Sequence, residues 1–511
     1  MERKKSVIFS AARLILLALA AAVFLLACSL STTPLLKYSV GQDSAFFRLV
    51  GQGMTQGKLP YRDYFDMKGP YLFWLEYLGA VIAPGRLGIF LVQWLCLLIS
   101  LYFAVRCFDL ATEDGAPLWA SLLLLLPIGY VMSYTMTGGN LTEELSLPFL
   151  MPCLYLFLKY LNGTRLPSPE NQDHSLKAGF FYGVVFGVMA LIRVTNAALI
   201  GAILLTVTCN LIVWKRFKNL FANAGMFLLG VAAGLLPGLF WCWWKGILWD
   251  MLSQVFLFGF AYSEEGGLLE SLRSMGTVRV CLLLPLIPLA FLAVYREKDW
   301  KCWLFFIASA LTVYAAALMG NGYCHYFTLA IPNLVFAGFL LLRGFRRSQR
   351  WRRSWRVACL CLSCLIALDL LRAQWPVFRP RALEEVRYAM YCAMTDTEER
   401  EDYDAIQKVL SQIPEEERNA VYVYGLTSCS GWYLQAGLQP PTRYADWQPH
   451  YIQLDPEIGR EIEGYLRSSD ARWVVTGAEG AEPEAIQSIL EEDYQDVFQA
   501  GAYRLWVKKE T

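Results

Sequence analysis

The chain has 511 residues, 56% of them hydrophobic, and a net charge of +1. A chain this apolar and this long is neither a soluble globular protein nor a protein with a single membrane anchor. The charge is divided unevenly, because residues 376–511 hold 25 acidic and 13 basic residues. We therefore expect a basic body in the membrane and an acidic, water-soluble tail. The basic residues are scattered over short segments, which argues against nucleic acid as a partner.

Apolar runs of about 20 residues, long enough to cross a bilayer as a helix, recur along the chain. The first follows the basic start MERKKS and lacks a clear small-residue cleavage site, so we interpret it as a retained span. The sequence predicts a mainly α, polytopic membrane domain over residues 1–375 with about eleven transmembrane helices. The predicted spans are 11–31, 87–106, 117–134, 145–161, 178–194, 197–214, 222–243, 277–295, 301–319, 325–342 and 356–372.

The basic residues also orient the chain, because cytosolic loops carry an excess of Lys and Arg. With the N-terminus in the cytosol, the basic segments fall inside, namely those holding Arg106, Lys177, 215–218, 296–301 and 343–356. The remaining loops fall outside, namely 32–86, 135–144, 244–276 and 320–324. An odd number of spans then places the tail outside as well. We expect a multi-pass protein of the plasma membrane with an extracytoplasmic C-terminal domain.

The first outer segment, 32–86, is too long for a connector and too aromatic for a linker. Within it, YLFWLEYLGAVIA (71–83) is amphipathic and short, which is typical of a helix lying at the membrane surface. The tail, 376–511, predicts a small α/β domain. Its predicted elements are strands at 420–425, 472–477 and 502–509 and a helix at 482–494.

Ionisable residues recur at the predicted outer edge of the membrane, where a charge usually marks a functional site or a wet cavity. Each also has an ordinary structural explanation. The two glutamates could cap a helix through its dipole, and the cations could reach lipid headgroups. Together, the acids could activate a hydroxyl and the cations could hold a phosphate. Nearby aromatic rings suit a lipid tail or a sugar. The residues are Asp43, Asp66, Lys68, Glu143, Glu144, Arg193, His325 and Tyr326.

The order of these residues resembles that of the GT-C membrane glycosyltransferases. Asp43 lies in the first outer segment, Lys68-Gly69-Pro70 leads into the surface helix, and Glu143 or Glu144 opens the fourth span. His325-Tyr326, followed by Pro332, opens a late span. The resemblance covers residues 10–345 and is to the family 39-like branch, with protein O-mannosyltransferases and the lipid A aminoarabinose transferase. The chain departs from this branch where its frequent Asp-Glu is Asp43-Ser44.

The resemblance implies an inverting transfer of a sugar from a polyprenyl-phosphate donor to an acceptor hydroxyl at the outer face. It implies catalytic roles for Asp43, Glu143 and Glu144. The implied contacts of the donor phosphate are Lys68, Arg193, His325 and Tyr326, with Asp66, Tyr64 and Tyr71 as further walls of the site. No metal ligand and no cofactor is assigned, and the need for a divalent cation is left open. The sugar, the acceptor (glycan, lipid or protein) and the oligomeric state are also left open.

Two other classes of protein compete with this interpretation. A transporter or flippase of a lipid-linked saccharide would need polar residues at mid-membrane, and often an inverted repeat or discontinuous helices. The charges instead gather at one edge of the membrane. A non-catalytic scaffold could use the acidic tail to bind a partner. Substitution of Asp43 would distinguish a scaffold from an enzyme.

Overall fold

The fold is taken from a computed structural model, which describes residues 2–38, 41–112, 115–136, 138–165, 168, 171–261, 268–277, 281–319, 322–346, 401–478, 480 and 483–510. The predicted span 356–372, the basic segment from 347 onwards and the predicted start of the tail lie outside the described residues. The chain divides into two compact units. The helical unit comprises Met1–Ser29, Val92–Trp241 and Gly266–Tyr388, and the mixed unit comprises Leu30–Leu91, Cys242–Glu265 and Ala389–Thr511.

The body of the chain is helical from its start, because long apolar runs satisfy their backbone hydrogen bonds within each helix. The helices of this part, numbered in chain order, are α1 Glu2–Cys28, α2 Asp43–Thr55, α3 Pro70–Ile82, α4 Leu87–Asp109, α5 Leu118–Thr135, α6 Thr142–Gly163, α7 Leu176–Ala190, α8 Ala198–Val213, α9 Phe217–Trp244, α10 Leu248–Leu252, α11 Leu268–Thr277, α12 Ile287–Val294, α13 Trp300–Leu318 and α14 Ile331–Arg346. Short 3₁₀ or π turns at Val194–Ala197, Ser253–Phe258, Cys281–Leu286 and Cys324–Ala330 join some of them.

Within the described residues, eight helical segments are long and apolar enough to cross a membrane. They correspond to eight of the predicted spans, and the mainly α, multi-pass architecture is confirmed. Two other predicted spans, 178–194 and 277–295, form shorter apolar helices at Leu176–Ala190 and Cys281–Val294. The eight segments are Ala11–Cys28, Leu87–Asp109, Leu118–Thr135, Thr142–Gly163, Val194–Val213, Phe217–Trp244, Trp300–Leu318 and Cys324–Gly344.

Glycines bring α7 and α9 together in the helical unit. A Cβ atom built on Gly183 would collide with the carbonyl oxygen of Phe227, and one on Gly187 would lie 2.7 Å from that of Val231. The same holds in the opposite direction, since Gly230 and Gly234 of α9 face backbone carbonyls of α7. Small residues allow membrane helices to approach at backbone distance. We call these four glycines the glycine seam.

The C-terminal part of the mixed unit contains one four-stranded sheet of order β1-β2-β4-β3, in which β1 and β2 are parallel and the other pairs antiparallel. The predicted strands and helix are confirmed, and β3 is an additional strand. The strands are β1 Val421–Val423, β2 Trp473–Gly477, β3 Tyr494–Ala500 and β4 Tyr503–Lys508. The helices are α15 Glu401–Leu410, α16 Cys429–Ala436, α17 Gln448–Leu454, α18 Pro456–Arg467 and α19 Glu484–Asp493, with a 3₁₀ turn at Glu415–Ala420.

The first outer segment belongs to the same compact unit as this sheet. The Phe65 side chain is buried in the apolar core that covers the sheet, with its ring centroid 5.2 Å from that of Tyr451 and 4.9 Å from that of Phe258. Its backbone N–H donates to the carbonyl oxygen of Arg443 over 2.7 Å. Burial of an aromatic ring is worth several kcal/mol, so Phe65 fastens the segment to the C-terminal sheet within the mixed unit.

The surface helix predicted at 71–83 is present as α3. Its buried side faces α2, where the Gly51 position lies against the backbone of Glu76. Its exposed side is apolar, with Leu78 47%, Val81 58% and Ile82 49% exposed. An apolar exposed face of this kind suits the membrane interface, which remains our expectation for this helix.

Candidate functional site

The predicted site residues fall into two groups, one in each compact unit. Glu143, Glu144, Arg193, His325 and Tyr326 belong to the helical unit. The others, Asp43, Tyr64, Asp66, Lys68 and Tyr71, belong to the mixed unit. A single cavity shared by Asp43, Lys68 and the two glutamates stays a prediction.

In the helical unit, an acid and a cation from distant parts of the chain form an ion pair. Glu143 lies in the first turn of α6, where the helix dipole favours a negative charge. Arg193 follows α7 in an extended conformation and its Nη1 donates to Oε1 of Glu143 over 3.0 Å. The glutamate side chain is 2% exposed and that of the arginine 17%. The carboxylate is therefore shielded from water, while the arginine side chain is partly exposed.

Aromatic rings also lie beside this cation. The guanidinium carbon of Arg193 lies 4.1 Å from the ring centroid of Tyr326, a cation–π contact. The His325 ring lies against Tyr326 with centroids 4.2 Å apart and stacks on Tyr323 at 5.8 Å. Glu143, Arg193, Tyr326 and His325 therefore form one continuous group of contacts, which we call the Arg193 cluster.

Glu144 takes a different partner, which the sequence interpretation missed. Its carboxylate accepts a hydrogen bond from the side-chain amide of Gln93, which is itself within 3.2 Å of the Ser29 hydroxyl. Both Gln93 and Glu144 are buried. A glutamine inside the apolar run LVQWLCLL is a polar residue at membrane depth, and that pattern was the available signal.

Asn196 fixes the beginning of α6, and the sequence interpretation did not single it out either. Its amide nitrogen donates to the carbonyl oxygen of Thr142 over 3.1 Å and to the Ser146 hydroxyl over 2.8 Å. Asn196 is fully buried and lies three residues after Arg193. These bonds tie the segment that carries the arginine to the helix turn that carries the glutamates. We infer that Asn196 positions the ion pair.

In the mixed unit, the charged part of the first outer segment is a local pair. The Asp66 carboxylate accepts the backbone N–H of Lys68, and the Lys68 ammonium lies 4.0 Å from the same oxygen. Burial raises the pKa of Asp66, while the Lys68 charge opposes the shift and Asp43 adds to it. Asp43 is half-buried at the first residue of α2. Asp66 is therefore the carboxylate on which both Lys68 and Asp43 act electrostatically.

The two predicted wall tyrosines have different surroundings. Tyr64 is almost fully buried, and its hydroxyl donates to the side-chain oxygen of Gln439. Tyr71 is half-buried at the start of α3, with its ring 5.0 Å from that of Trp74. Of the two, Tyr71 is the more accessible to a ligand.

Two acids and a cation in each unit give this chain the elements for transfer at a hydroxyl. A carboxylate can take a proton, and a fixed guanidinium or an ammonium can stabilise a leaving phosphate. Among the described residues, there is no group of three or more His, Cys, Asp or Glu side chains placed to hold a metal ion.

The architecture matches known crystal structures over nearly its full length. The structure of ArnT from Cupriavidus metallidurans bound to undecaprenyl phosphate is similar with a TM-score of 0.57 and 14% sequence identity. The match covers 97% of this chain and 98% of ArnT. The apo form of the same protein matches with a TM-score of 0.57, 13% identity and the same coverage. The chain is thus a multi-pass membrane protein with the GT-C fold, as its sequence motifs predicted.

Residues 2–373 match the family model described as "Putative competence-induced protein Ccs4 N-terminal domain", and the chain belongs to this family. No curated protein matches the sequence.

Proposed function

We propose that this protein is an inverting membrane glycosyltransferase that moves a sugar from a polyprenyl-phosphate donor to an acceptor hydroxyl. The Arg193 cluster is the observation that carries the proposal. It holds a guanidinium in place at the beginnings of three long apolar segments, where the phosphate of a membrane lipid would lie. The fold agrees, because ArnT was crystallised in the same fold with undecaprenyl phosphate bound.

The proposed reaction assigns a role to each charged group. The acceptor hydroxyl oxygen attacks C1 of the sugar from the side opposite the phosphate, and its proton passes to Asp43. The bond between C1 and the phosphate oxygen breaks, and polyprenyl phosphate leaves with the electron pair. Arg193 and Lys68 stabilise the charge on the leaving phosphate, with His325 and Tyr326 beside it. Glu143 and Glu144 orient the acceptor.

The Glu143–Arg193 pair fits this role because its cation is partly exposed while its acid is not. The arginine side chain is 17% exposed and the glutamate side chain 2%. We expect a phosphate oxygen to approach the exposed part of the guanidinium while Glu143 keeps its bond to Nη1. We place this reaction at the outer face of the plasma membrane, with the N-terminus in the cytosol. The basic-loop pattern supports that orientation.

The test uses the full-length protein in liposomes with a panel of polyprenyl-phosphate sugars and a total membrane extract as the source of acceptors. We expect release of polyprenyl phosphate together with a glycosylated product. Asp43→Asn should lower turnover by about 10²–10⁴-fold, as is typical for loss of a general base, and should change donor binding little. Asp404→Asn, at an exposed aspartate of α15, is the matched control and should remain active.

Lys68→Ala should instead weaken donor binding by about tenfold or more, because it removes a charged contact to the phosphate. Addition of EDTA to the same assay determines whether a divalent cation is needed. The proposal fails if no donor in the panel loses its sugar, or if Asp43→Asn keeps full turnover. Movement of an intact lipid-linked sugar across the bilayer would show a flippase instead.

A further inference from the structure

The mixed unit contains a polar cavity of about 370 Å³ that the transfer reaction does not use. The first outer segment contributes Lys58, Arg62 and Asp63 to its lining, which we call the basic wall. Residues 440–444, with Glu461, Ile462 and Tyr465 of α18, contribute the rest, which we call the polar wall. The volume is within the range of small-molecule sites, so a single sugar unit fits.

Two cations on one wall of this cavity lack an acidic partner. The Lys58 ammonium donates to the carbonyl oxygen of Pro440 over 2.9 Å, and Arg62 donates through Nη2 to that of Lys245 over 3.1 Å. Neither side chain has a salt bridge within the part of the chain that the structure describes. Carbonyl partners fix the two side chains but do not neutralise them.

The nearest acid on this wall is held by the backbone. The Asp63 carboxylate accepts the N–H of Leu59 over 2.6 Å. Burial lowers the pKa of Lys58, and the charge of Asp63 opposes that shift. The two cations exceed this single acid by one charge, so the wall favours an anion.

The polar wall is neutral overall but rich in hydrogen-bonding groups. Nη2 of Arg443 donates to both carboxylate oxygens of Glu461 at 2.8 Å and to the Tyr444 hydroxyl at 2.7 Å. The Tyr444 hydroxyl in turn donates to Glu461 over 2.9 Å. This network fixes donors, acceptors and a tyrosine ring along one edge of the cavity. Sugar hydroxyls need both donors and acceptors, and an amphipathic tyrosine ring suits a sugar face.

We propose that this cavity is a binding site for an anionic saccharide. The phosphate or carboxylate of the ligand lies between Lys58 and Arg62, and its hydroxyl groups bind Glu461 and Arg443. The basic wall alone would accept any anion, but the polar wall, with its hydrogen-bonding groups and tyrosine ring, selects for a sugar. The site lies within one compact unit and does not depend on the proposed transfer reaction.

The experiment measures equilibrium binding to the full-length protein in phosphatidylcholine nanodiscs. The probes are glucose 1-phosphate, glucuronate, glucose and inorganic phosphate. Both anionic sugars should bind, and their affinity should fall as salt rises. Glucose and inorganic phosphate should each bind at least about tenfold more weakly, because glucose lacks the anionic group and inorganic phosphate lacks the sugar ring and its hydroxyl groups.

Variants separate recognition from folding. Lys58→Gln and Arg62→Gln should each weaken glucose 1-phosphate binding about tenfold, while Arg62→Lys should keep most of it. Arg460→Gln is the control, since Arg460 is an exposed arginine paired with Glu457 and is not among the residues that line the cavity. Equal binding of inorganic phosphate and glucose 1-phosphate would refute a saccharide site. Failure of both anionic sugars to bind, or unchanged binding in both glutamine variants, would refute the site altogether.

Discussion

Glu143 in the helical unit and Asp446 in the mixed unit are both buried carboxylates, but they are stabilised in different ways. Glu143 is 1% exposed and is paired with Arg193, fifty residues later in the chain. Asp446 is 2% exposed and has no salt bridge within the described ranges. It accepts the backbone N–H groups of Cys429, Ser430 and Trp447 at 3.1–3.2 Å and the Ser430 hydroxyl.

The difference follows from the surroundings of each acid. At the end of an apolar span, a charged carboxylate is costly without a partner, and Arg193 from another segment supplies the counter-charge of Glu143. In the mixed unit, a helix start and a loop supply N–H donors at short range. Burial nevertheless raises the pKa of Asp446 to about 6, and these hydrogen bonds limit the shift. A cation stabilises the buried charge of Glu143, whereas N–H and O–H dipoles stabilise that of Asp446. We expect the two kinds of partner to stabilise a buried charge to different extents, and three predictions test this.

The largest effect is expected for Arg193→Gln. It leaves Glu143 buried without a cation, and removal of one partner of a buried pair typically costs about 3–5 kcal/mol in the free energy of unfolding. Unfolding by SDS in mixed micelles measures this loss. The double variant Glu143→Gln/Arg193→Gln should recover much of it, because no charge is then left alone.

Arg216→Gln is the matched control for this substitution. Arg216 pairs with Asp173 in the same unit, but both side chains are well exposed at 37% and 41%. Water replaces an exposed partner, so the free energy of unfolding should change little. Equal losses in Arg193→Gln and Arg216→Gln would show that the Glu143 pair is not effectively buried.

The second effect is the pH dependence of the mixed unit. The folded pKa of Asp446, about 6, is above the ordinary aspartate value of 3.8, so between these values the folded state binds more protons than the unfolded state. Stability from this group is therefore present at low pH and is lost as pH rises from about 4 to about 6, by about 3 kcal/mol in total. Amide hydrogen exchange in β1 and β2 reports this loss.

Asp446→Asn should remove that component of the pH dependence. Asp470→Asn, at an exposed aspartate of the same unit, should leave it in place. If exchange protection in wild type and Asp446→Asn changes in parallel over this pH range, Asp446 is ionised in the folded state as readily as in the unfolded chain.

The smallest effect is expected for Lys68→Ala. Asp66 combines the two kinds of stabilisation seen at Glu143 and Asp446. It accepts a backbone N–H and also has a cation 4.0 Å away. Since Lys68 is 22% exposed, its loss should cost about 1 kcal/mol or less in the free energy of unfolding. A double-mutant cycle with Asp66→Asn measures the coupling. A coupling as large as that of Glu143 and Arg193 would remove the distinction between the two units.

The sequence was most informative where structure depends on local composition. Apolar runs predicted the spans. The contact between Asp66 and Lys68 is also local, because the two residues are only two positions apart in the chain. Strand β3 was missed because YQDVFQA has an exposed, polar centre and directly follows a helix. The insertion of Phe65 into the C-terminal core could not be predicted, because an aromatic residue in a loop does not indicate which distant surface will bury it. The hydrogen bond from Gln93 to Glu144 could not be predicted either, because the two residues are 51 positions apart in the chain.

The glycine seam has a consequence for how α7 and α9 move. Helices that meet through side chains can slide and repack as rotamers change, but backbone-to-backbone contact offers no rotamers to rearrange. At Gly183 and Gly230 the nearest atoms of the opposite helix are backbone atoms, led by a carbonyl oxygen, and these cannot move away without bending the helix itself. We therefore expect α7 and α9 to move together as one rigid pair. Other helices of the helical unit would then move relative to this pair, while α7 and α9 keep their positions relative to each other.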